Sequence, residues 1–245
     1  MIDSNNKWKD YTVGITGATG ALGRALIKKF RAEGAYVIGM THKKIINSDK
    51  SRETVPDEWA VWNCGEENNL LETLKKIDIL ILNHGINPQG AQTPAAINEA
   101  LEINALSSWR LMQLFENVSF NKKKRKRRSE LWVNTSEAEV QPTLSPGYEL
   151  SKRLIGQLVS LRWYNLNKKE RSMLLIRKII LGPFQSELNP IGIMSAEMVA
   201  YLVVLQAKFC SYLIIVSPNP LTYLSIPLTE ILRNIYSLIT KKNKQ

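Results

Sequence analysis

The sequence predicts an α/β fold, a doubly wound, mostly parallel seven-stranded sheet with helices on both faces. Three observations carry this expectation. Short, continuously apolar runs alternate with longer amphipathic segments, as expected for strands buried on both faces and joined by crossover helices. A glycine-rich turn, Thr16-Gly-Ala-Thr-Gly-Ala-Leu-Gly23, separates the first apolar run from the first amphipathic one. The 245 residues, 44% hydrophobic and 22% charged, suffice for one sizeable core. No internal repeat and no Pro- or Ser-rich linker divides the chain, so a single domain over residues 1–245 is expected.

The elements follow in order. Tyr11–Thr16 reads as a buried strand, and the helix after the glycine turn carries Leu22, Leu26 and Phe30 on one side and stops at Gly34. Ala35–Met40 is a second strand. Residues 43–58 are polar and irregular, Trp59–Trp62 is a short third strand, and Glu66–Lys76 is helical. Ile77–Leu82 is a fourth strand. Pro94 opens a helix that reaches about Val118. Leu131–Thr135 is a fifth strand, Gly147 to about Leu166 a helix, and Met173–Ile180 holds a sixth strand. Ser195–Lys208 is a helix, Tyr212–Val216 a seventh strand, and about 221–240 a helical tail containing Pro227.

Composition removes several classes. Cys64 and Cys210 are too few for a disulfide framework. Two histidines and two cysteines, scattered, give no metal-ligand spacing. Met1–Asp10 is polar, unlike a secretory signal. No apolar run approaches the roughly 20 residues of a membrane span. A cytoplasmic protein, with peripheral membrane contact as a variant, is expected. The formal charge is +11, but removing the seven cations of Lys122–Arg128 takes +11 to +4. That run has no interleaved aromatics, so no specific nucleic-acid site is expected. It sits between a helix and a strand, at the sheet end opposite the glycine turn. It reads as a solvated loop or a weak contact with anionic membrane.

The glycine turn is a candidate phosphate cradle. Gly17 permits the turn, Gly20 lets backbone approach a pyrophosphate, and Gly23 lets the helix pack on the strand. Thr19 and Leu22 complete the turn, and the helix N-terminus offers free N–H groups. A carboxylate at the end of the second strand would select NAD; the chain has Thr41, His42, Lys43 and Lys44 there instead. Cations at this place favour NADP(H) over NAD(H).

Two further segments make the resemblance specific. Asn83-His84-Gly85 follows the fourth strand, and Tyr148-Glu-Leu-Ser-Lys152 opens the helix after the fifth. With Thr16–Gly23 in this order, the chain resembles the short-chain dehydrogenase/reductase family, which has a Rossmann fold that binds NAD(P), from about Tyr11 to Val216. A helix puts residues i and i+4 on one face, so Lys152 stands near the Tyr148 hydroxyl and lowers its pKa. Tyr148 then exchanges a proton with a carbonyl or alcohol oxygen while hydride moves. By resemblance Lys152 also binds the nicotinamide ribose, Asn104 supports a water relay, Asn83 and Gly85 flank the adenosine half, and Ser186 contacts the nicotinamide side.

The serine that orients the substrate carbonyl is ambiguous. Strand alignment of Val133-Asn134-Thr135-Ser136-Glu137 puts Glu137 in its place, whereas the distance to Tyr148 selects Ser136; Ser145 is a further alternative. A carboxylate there would oppose a developing oxyanion. The glycine spacing resembles the family's extended branches, and the family's acidic residue after the third strand is absent near Asn63-Cys64-Gly65. The segment at about 184–196 is expected to form a substrate lid, its wall made of Phe184, Leu188, Ile191, Ile193 and Met194. The tail is expected to lie on a membrane, on its own domain or on a partner.

The resulting expectation is an NADP(H)-dependent oxidoreductase that interconverts a carbonyl and an alcohol on an apolar or amphipathic small molecule. A homo-oligomer is implied by resemblance. The alternatives are a cofactor-binding, inactive relative acting as regulator or scaffold, and a lipid-modifying reductase at a membrane surface.

Overall fold

The computed structural model describes residues 7–42, 52–122, 127–209 and 212–242. Seven parallel strands form one sheet in the order β3-β2-β1-β4-β5-β6-β7. They are β1 (Thr12–Thr16), β2 (Tyr36–Thr41), β3 (Glu58–Val61), β4 (Ile79–Leu82), β5 (Ser129–Ser136), β6 (Leu174–Leu181) and β7 (Leu213–Val216). Strand order reverses between β1 and β4, so their C-terminal ends open a crevice, the usual ligand place in such sheets.

Side-chain alternation sorts the strands onto two faces. Val13, Ile15, Ile79, Ile81, Trp132, Ile179 and Ile214 pack with helices α1 (Ala21–Ala32) and α7 (Ala196–Ala207). Met40, Leu80, Leu82, Leu131, Val133 and Ile176 pack on the other face with residues that follow α2 (Leu71–Lys76) and α3 (Pro94–Leu101). These include Leu111 and Phe115 of α4 (Ser107–Asn121) and Ile155 and Val159 of α5 (Pro146–Asn165).

The long helix expected from Pro94 to Val118 is interrupted. Residues 102–106 make one π-turn in which Ser107 N bonds to Glu102 O, and Asn104 sits inside it. Met173 closes a short helix, α6 (Lys168–Met173), instead of opening β6. Asn167 and Glu170 form a reciprocal capping box there, a signal present in the sequence.

The tail is α8 (Thr222–Lys242), which packs Ile226 against Ile180 and Ile215. Beside this small cluster lies a charged centre. Lys178 of β6 is fully buried where alternation calls for an apolar residue. Its Nζ donates to Glu139 (2.6 Å), Glu230 (2.9 Å), Ser160 Oγ (3.0 Å) and Gly156 O (3.0 Å). Arg233 bonds the same two carboxylates. A Cβ on Gly156 would come within 2.0 Å of the Glu139 carboxyl.

Among the described residues of the basic run, Lys122 bonds Ile77 O, Arg127 lies 4.0 Å from the Tyr11 ring and Arg128 bonds Leu174 O. They sit at the N-terminal end of the sheet, away from the crevice. Residues 123–126 lie outside the described residues, as do Lys43, Lys44 and Cys210.

Removing one member of a buried ion network leaves the others unpaired, typically at a cost of about 3 kcal/mol or more. Lys178→Met is expected to lower the free energy of urea unfolding by roughly that amount, with an unchanged slope. Gly156→Ala should also destabilise, because its methyl group displaces Glu139. Unaltered midpoints in both variants would show that this centre does not hold α5 and α8 in place.

Candidate active site

The crevice between β1 and β4 is a cleft of about 610 Å³. Gly17, Thr19, Gly20, Leu22, Thr41, His42, Asn83, Gly85 and Ser186 all line it, so every described residue expected at the cofactor except Gly23 and Lys152 faces one space. Gly23 lies beneath: a Cβ there would stand 2.3 Å from Gly17 O, so the helix can approach the turn only with glycine. Gly17 has φ +63°, and a Cβ on it would meet His84 Cα at 2.9 Å. Gly20 caps α1 without a side chain, leaving the first-turn amides exposed to the cleft. These features fit a dinucleotide pyrophosphate.

A polar ladder holds the cleft walls. Thr16 Oγ1 accepts the amides of Asn83 (2.8 Å) and His84 (3.2 Å) and stands 2.8 Å from His84 Nδ1. Asn134 Nδ2 donates to Asn83 Oδ1 at 2.8 Å, tying β5 to the same loop. Asn104 Oδ1 accepts Ile86 N (2.7 Å), while its Nδ2 donates to Ile86 O (2.9 Å) and Ser151 Oγ (2.8 Å). Asn104 therefore straps the loop after β4 to α5 directly through its side chain.

Tyr148, Lys152 and Ser136 converge beside this ladder. The Lys152 Nζ lies 5.6 Å from the Tyr148 ring centre and 3.4 Å from Asn134 O. Burial pulls the Lys152 pKa down to about 8, with Glu139 opposing. The Tyr148 phenol is held above its ordinary pKa, not lowered by Lys152 as expected from the sequence: burial pushes it up, Ser136 pulls it down and the Glu137 charge pushes it up. Ser136 also caps the turn after β5 by accepting Ala138 N. Glu137 points elsewhere: its Oε2 accepts Ser217 Oγ (2.6 Å) and Thr222 Oγ1 (2.9 Å). Ser136 therefore bears on the Tyr148 phenol as a hydrogen-bonding group, and Glu137 bears on it through its charge. Asn134 Oδ1 is buried without a hydrogen-bond partner.

The lid expectation needs correction. Phe184 and Leu188 line the cleft, and Asn87 Nδ2 ties the lid to the loop after β4 through Leu188 O. Ile191 and Ile193 instead face solvent, and Met194 packs into the α1/α7 core. The short bridges Phe184–Met194 and Ser186–Asn189 fold the segment back and turn the two isoleucines outward. Trp62, His84, Glu99 and Ile103 line the cleft without having been expected there. Only the position of His84 in Asn83-His84-Gly85 could have flagged one of them.

Burial and the nearby Lys152 charge lower the His84 pKa to about 4. The folded-state pKa lies below the ordinary 6.5, so the unfolded chain takes up this proton first and stability falls as pH drops from 6.5 towards 4. Between pH 6.5 and 5 the protein should lose about 1.5 kcal/mol that His84→Gln does not lose. Parallel pH profiles of unfolding free energy for the two proteins would contradict this.

The chain matches the model of the NAD dependent epimerase/dehydratase family over residues 13–157. It is 41% identical, over 99% of its length, to the monoglucosyldiacylglycerol epimerase of Synechocystis sp., and spans 58% of that relative's length. It is similar in fold to a short chain dehydrogenase from Burkholderia cenocepacia in complex with NADP. That likeness has a TM-score of 0.73 at 15% identity and covers 90% of this chain and 92% of the other. It is also similar to the aldohexose dehydrogenase of Thermoplasma acidophilum, with a TM-score of 0.69, 15% identity, and 86% and 94% of the two chains covered. The chain belongs to the NAD-dependent epimerase/dehydratase family, NAD(P)-dependent enzymes with the short-chain dehydrogenase fold.

Proposed function

We propose that this chain is an NADP-preferring oxidoreductase that inverts a secondary alcohol on the sugar of a glycosylated diacylglycerol. The alcohol is oxidised to a ketone and reduced again from the opposite face, so the reaction is redox-neutral overall. The observation that carries the reading is the buried Lys152, its Nζ 5.6 Å from the Tyr148 ring centre on the same helix, with the Glu137 carboxylate withdrawn onto Ser217 and Thr222. The relative's name supplies the substrate class.

Bound NAD(P) supplies the hydride acceptor and donor. Tyr148 takes the alcohol proton in the first half and returns it to the oxygen in the second. Ser136 donates to that same oxygen and orients it. Lys152, held by Asn134 O, keeps a positive charge next to the phenol up to about pH 8 and offers donors to the ribose. Asn104 is a positioning residue that fixes α5 against the cleft wall. The NADP preference is supported by Thr41 and His42 at the end of β2, where no carboxylate stands, and by the lysines that follow in sequence. The engagement of the Glu137 carboxylate by Ser217 and Thr222 supports this reading over that of an inactive relative.

The test is incubation of the chain with monoglucosyldiacylglycerol in detergent and substoichiometric NADP⁺, followed by analysis of the released sugar. The epimer is expected, at a rate that Tyr148→Phe lowers by about 100-fold or more. Fluorescence titration of this variant should still show NADPH bound, more tightly than NADH. Equal affinity for the two would overturn the NADP preference. NADPH formation equal to the NADP⁺ supplied, with ketone and no epimer, would make the chain a simple alcohol dehydrogenase.

A further inference from the structure

Among the described residues, exposed apolar side chains gather in two places, along α8 (Leu224, Leu232 and Tyr236 among them) and on the loops at one end of the sheet, and the second group surrounds the cleft. Leu144 is 95% exposed, Ile191 86%, Ile193 74% and Leu221 66%. They lie on the loops after β5, β6 and β7, at the sheet end where the cleft opens. Those loops are joined: Asn87 bonds Leu188 O, Asn219 bonds Gln141, and Leu144 O lies against Gly90. Exposed apolar groups gathered around a site mark an interaction surface.

The charge of these loops is as telling. None of the chain's 33 Lys and Arg lies in residues 83–93, 137–145, 182–195 or 217–221, although the formal charge is +11. The described cations of the basic run, Lys122, Arg127 and Arg128, anchor at the opposite end of the sheet. The cations Lys43, Lys44, Lys50 and Arg52 follow β2 in sequence, on the cofactor side, so the loops that carry the exposed leucines and isoleucines complement an uncharged lipid layer better than an anionic one.

We infer that the cleft mouth, through Leu144, Ile191, Ile193 and Leu221, docks on a bilayer of uncharged glycolipid. The inference deepens the proposed function and rests on its substrate class. A cleft of about 610 Å³ is on the scale of one cofactor-sized ligand. The acyl chains of a diacyl lipid carry dozens of methylenes, and each resists transfer to water. The chains therefore stay in the bilayer, and the headgroup is reached only if the mouth sits at the interface. Ile191 and Ile193 are where a lid would have to enter it.

The test is co-sedimentation of the full chain with vesicles of phosphatidylcholine and monoglucosyldiacylglycerol at low and high salt. Binding is expected, with little salt dependence. A Leu144→Glu, Ile191→Glu, Ile193→Glu triple variant should bind at least tenfold more weakly, while turnover of a water-soluble short-chain glucoside is retained. Absence of wild-type binding, or undiminished binding by a folded triple variant, would overturn the inference. So would loss of binding in high salt or in Lys122→Gln, Arg127→Gln, Arg128→Gln, which would place the membrane at the basic end. Loss in Leu232→Glu, Ile235→Glu with the triple variant intact would place it on α8. Vesicle binding through the lid without epimerisation of any glucoside would support the docking face and remove the proposed function instead.

Discussion

Burying Lys178 constrains much of the molecule. A fully desolvated ammonium must be compensated on every side, and here the partners come from three elements. Glu139 belongs to the turn after β5, Gly156 and Ser160 to α5, and Glu230 to α8. The same centre therefore fixes α5, which carries Tyr148 and Lys152, against the strand end that carries Ser136. It also sets the turn at residues 137–139. With Glu139 directed to Lys178, Glu137 reaches Ser217 and Thr222 instead of the substrate place.

The second constraint is the crevice itself. Parallel strands diverge where their order reverses, and the exposed backbone ends there need partners. Thr16, Asn83, Asn134 and Asn104 supply them with short polar side chains, each bridging two elements. The π-turn around Asn104 belongs to this arrangement. One extra residue in the helical turn rotates the amide towards Ile86 and Ser151 at a price in regular helix geometry. Rigid walls built this way let glycine backbone approach a phosphate while the helix dipole stays aligned with it.

Most of this was legible in the sequence where one physical rule dominated. Continuous apolar runs marked all seven strands, and the three glycines marked the turn, because close backbone approach tolerates no side chain. The i, i+4 pair Tyr148–Lys152 announced its shared face. Legibility failed where several long-range partners decide the outcome. Lys178 reads as an interruption in an apolar strand until Glu139 and Glu230, distant in sequence, are seen around it. The choice between Ser136 and Glu137 could not be made by counting, since it depends on hydroxyls at 217 and 222. The isoleucines of the lid have the composition of a pocket wall, and only the fold-back at Phe184–Met194 shows that they face outward.

The electrostatics of the reacting groups follow from these same placements. A residue that must both accept and return a proton cannot be pushed far in either direction. Desolvation and the Glu137 charge favour the protonated phenol of Tyr148, and the Ser136 hydrogen bond favours the phenolate. Lys152, with its pKa near 8, stays largely cationic at neutral pH, its Nζ 5.6 Å from the Tyr148 ring centre. The resting chain thus holds Tyr148 protonated, and in the proposed reaction the phenol must first release that proton to solvent before its phenolate can take the proton of the substrate alcohol. Glu137 sits just far enough away, occupied by two hydroxyls, to bias that balance without entering it. Freeing its carboxylate from Ser217 and Thr222 would let it approach the reacting oxygen and oppose every state in which negative charge gathers there.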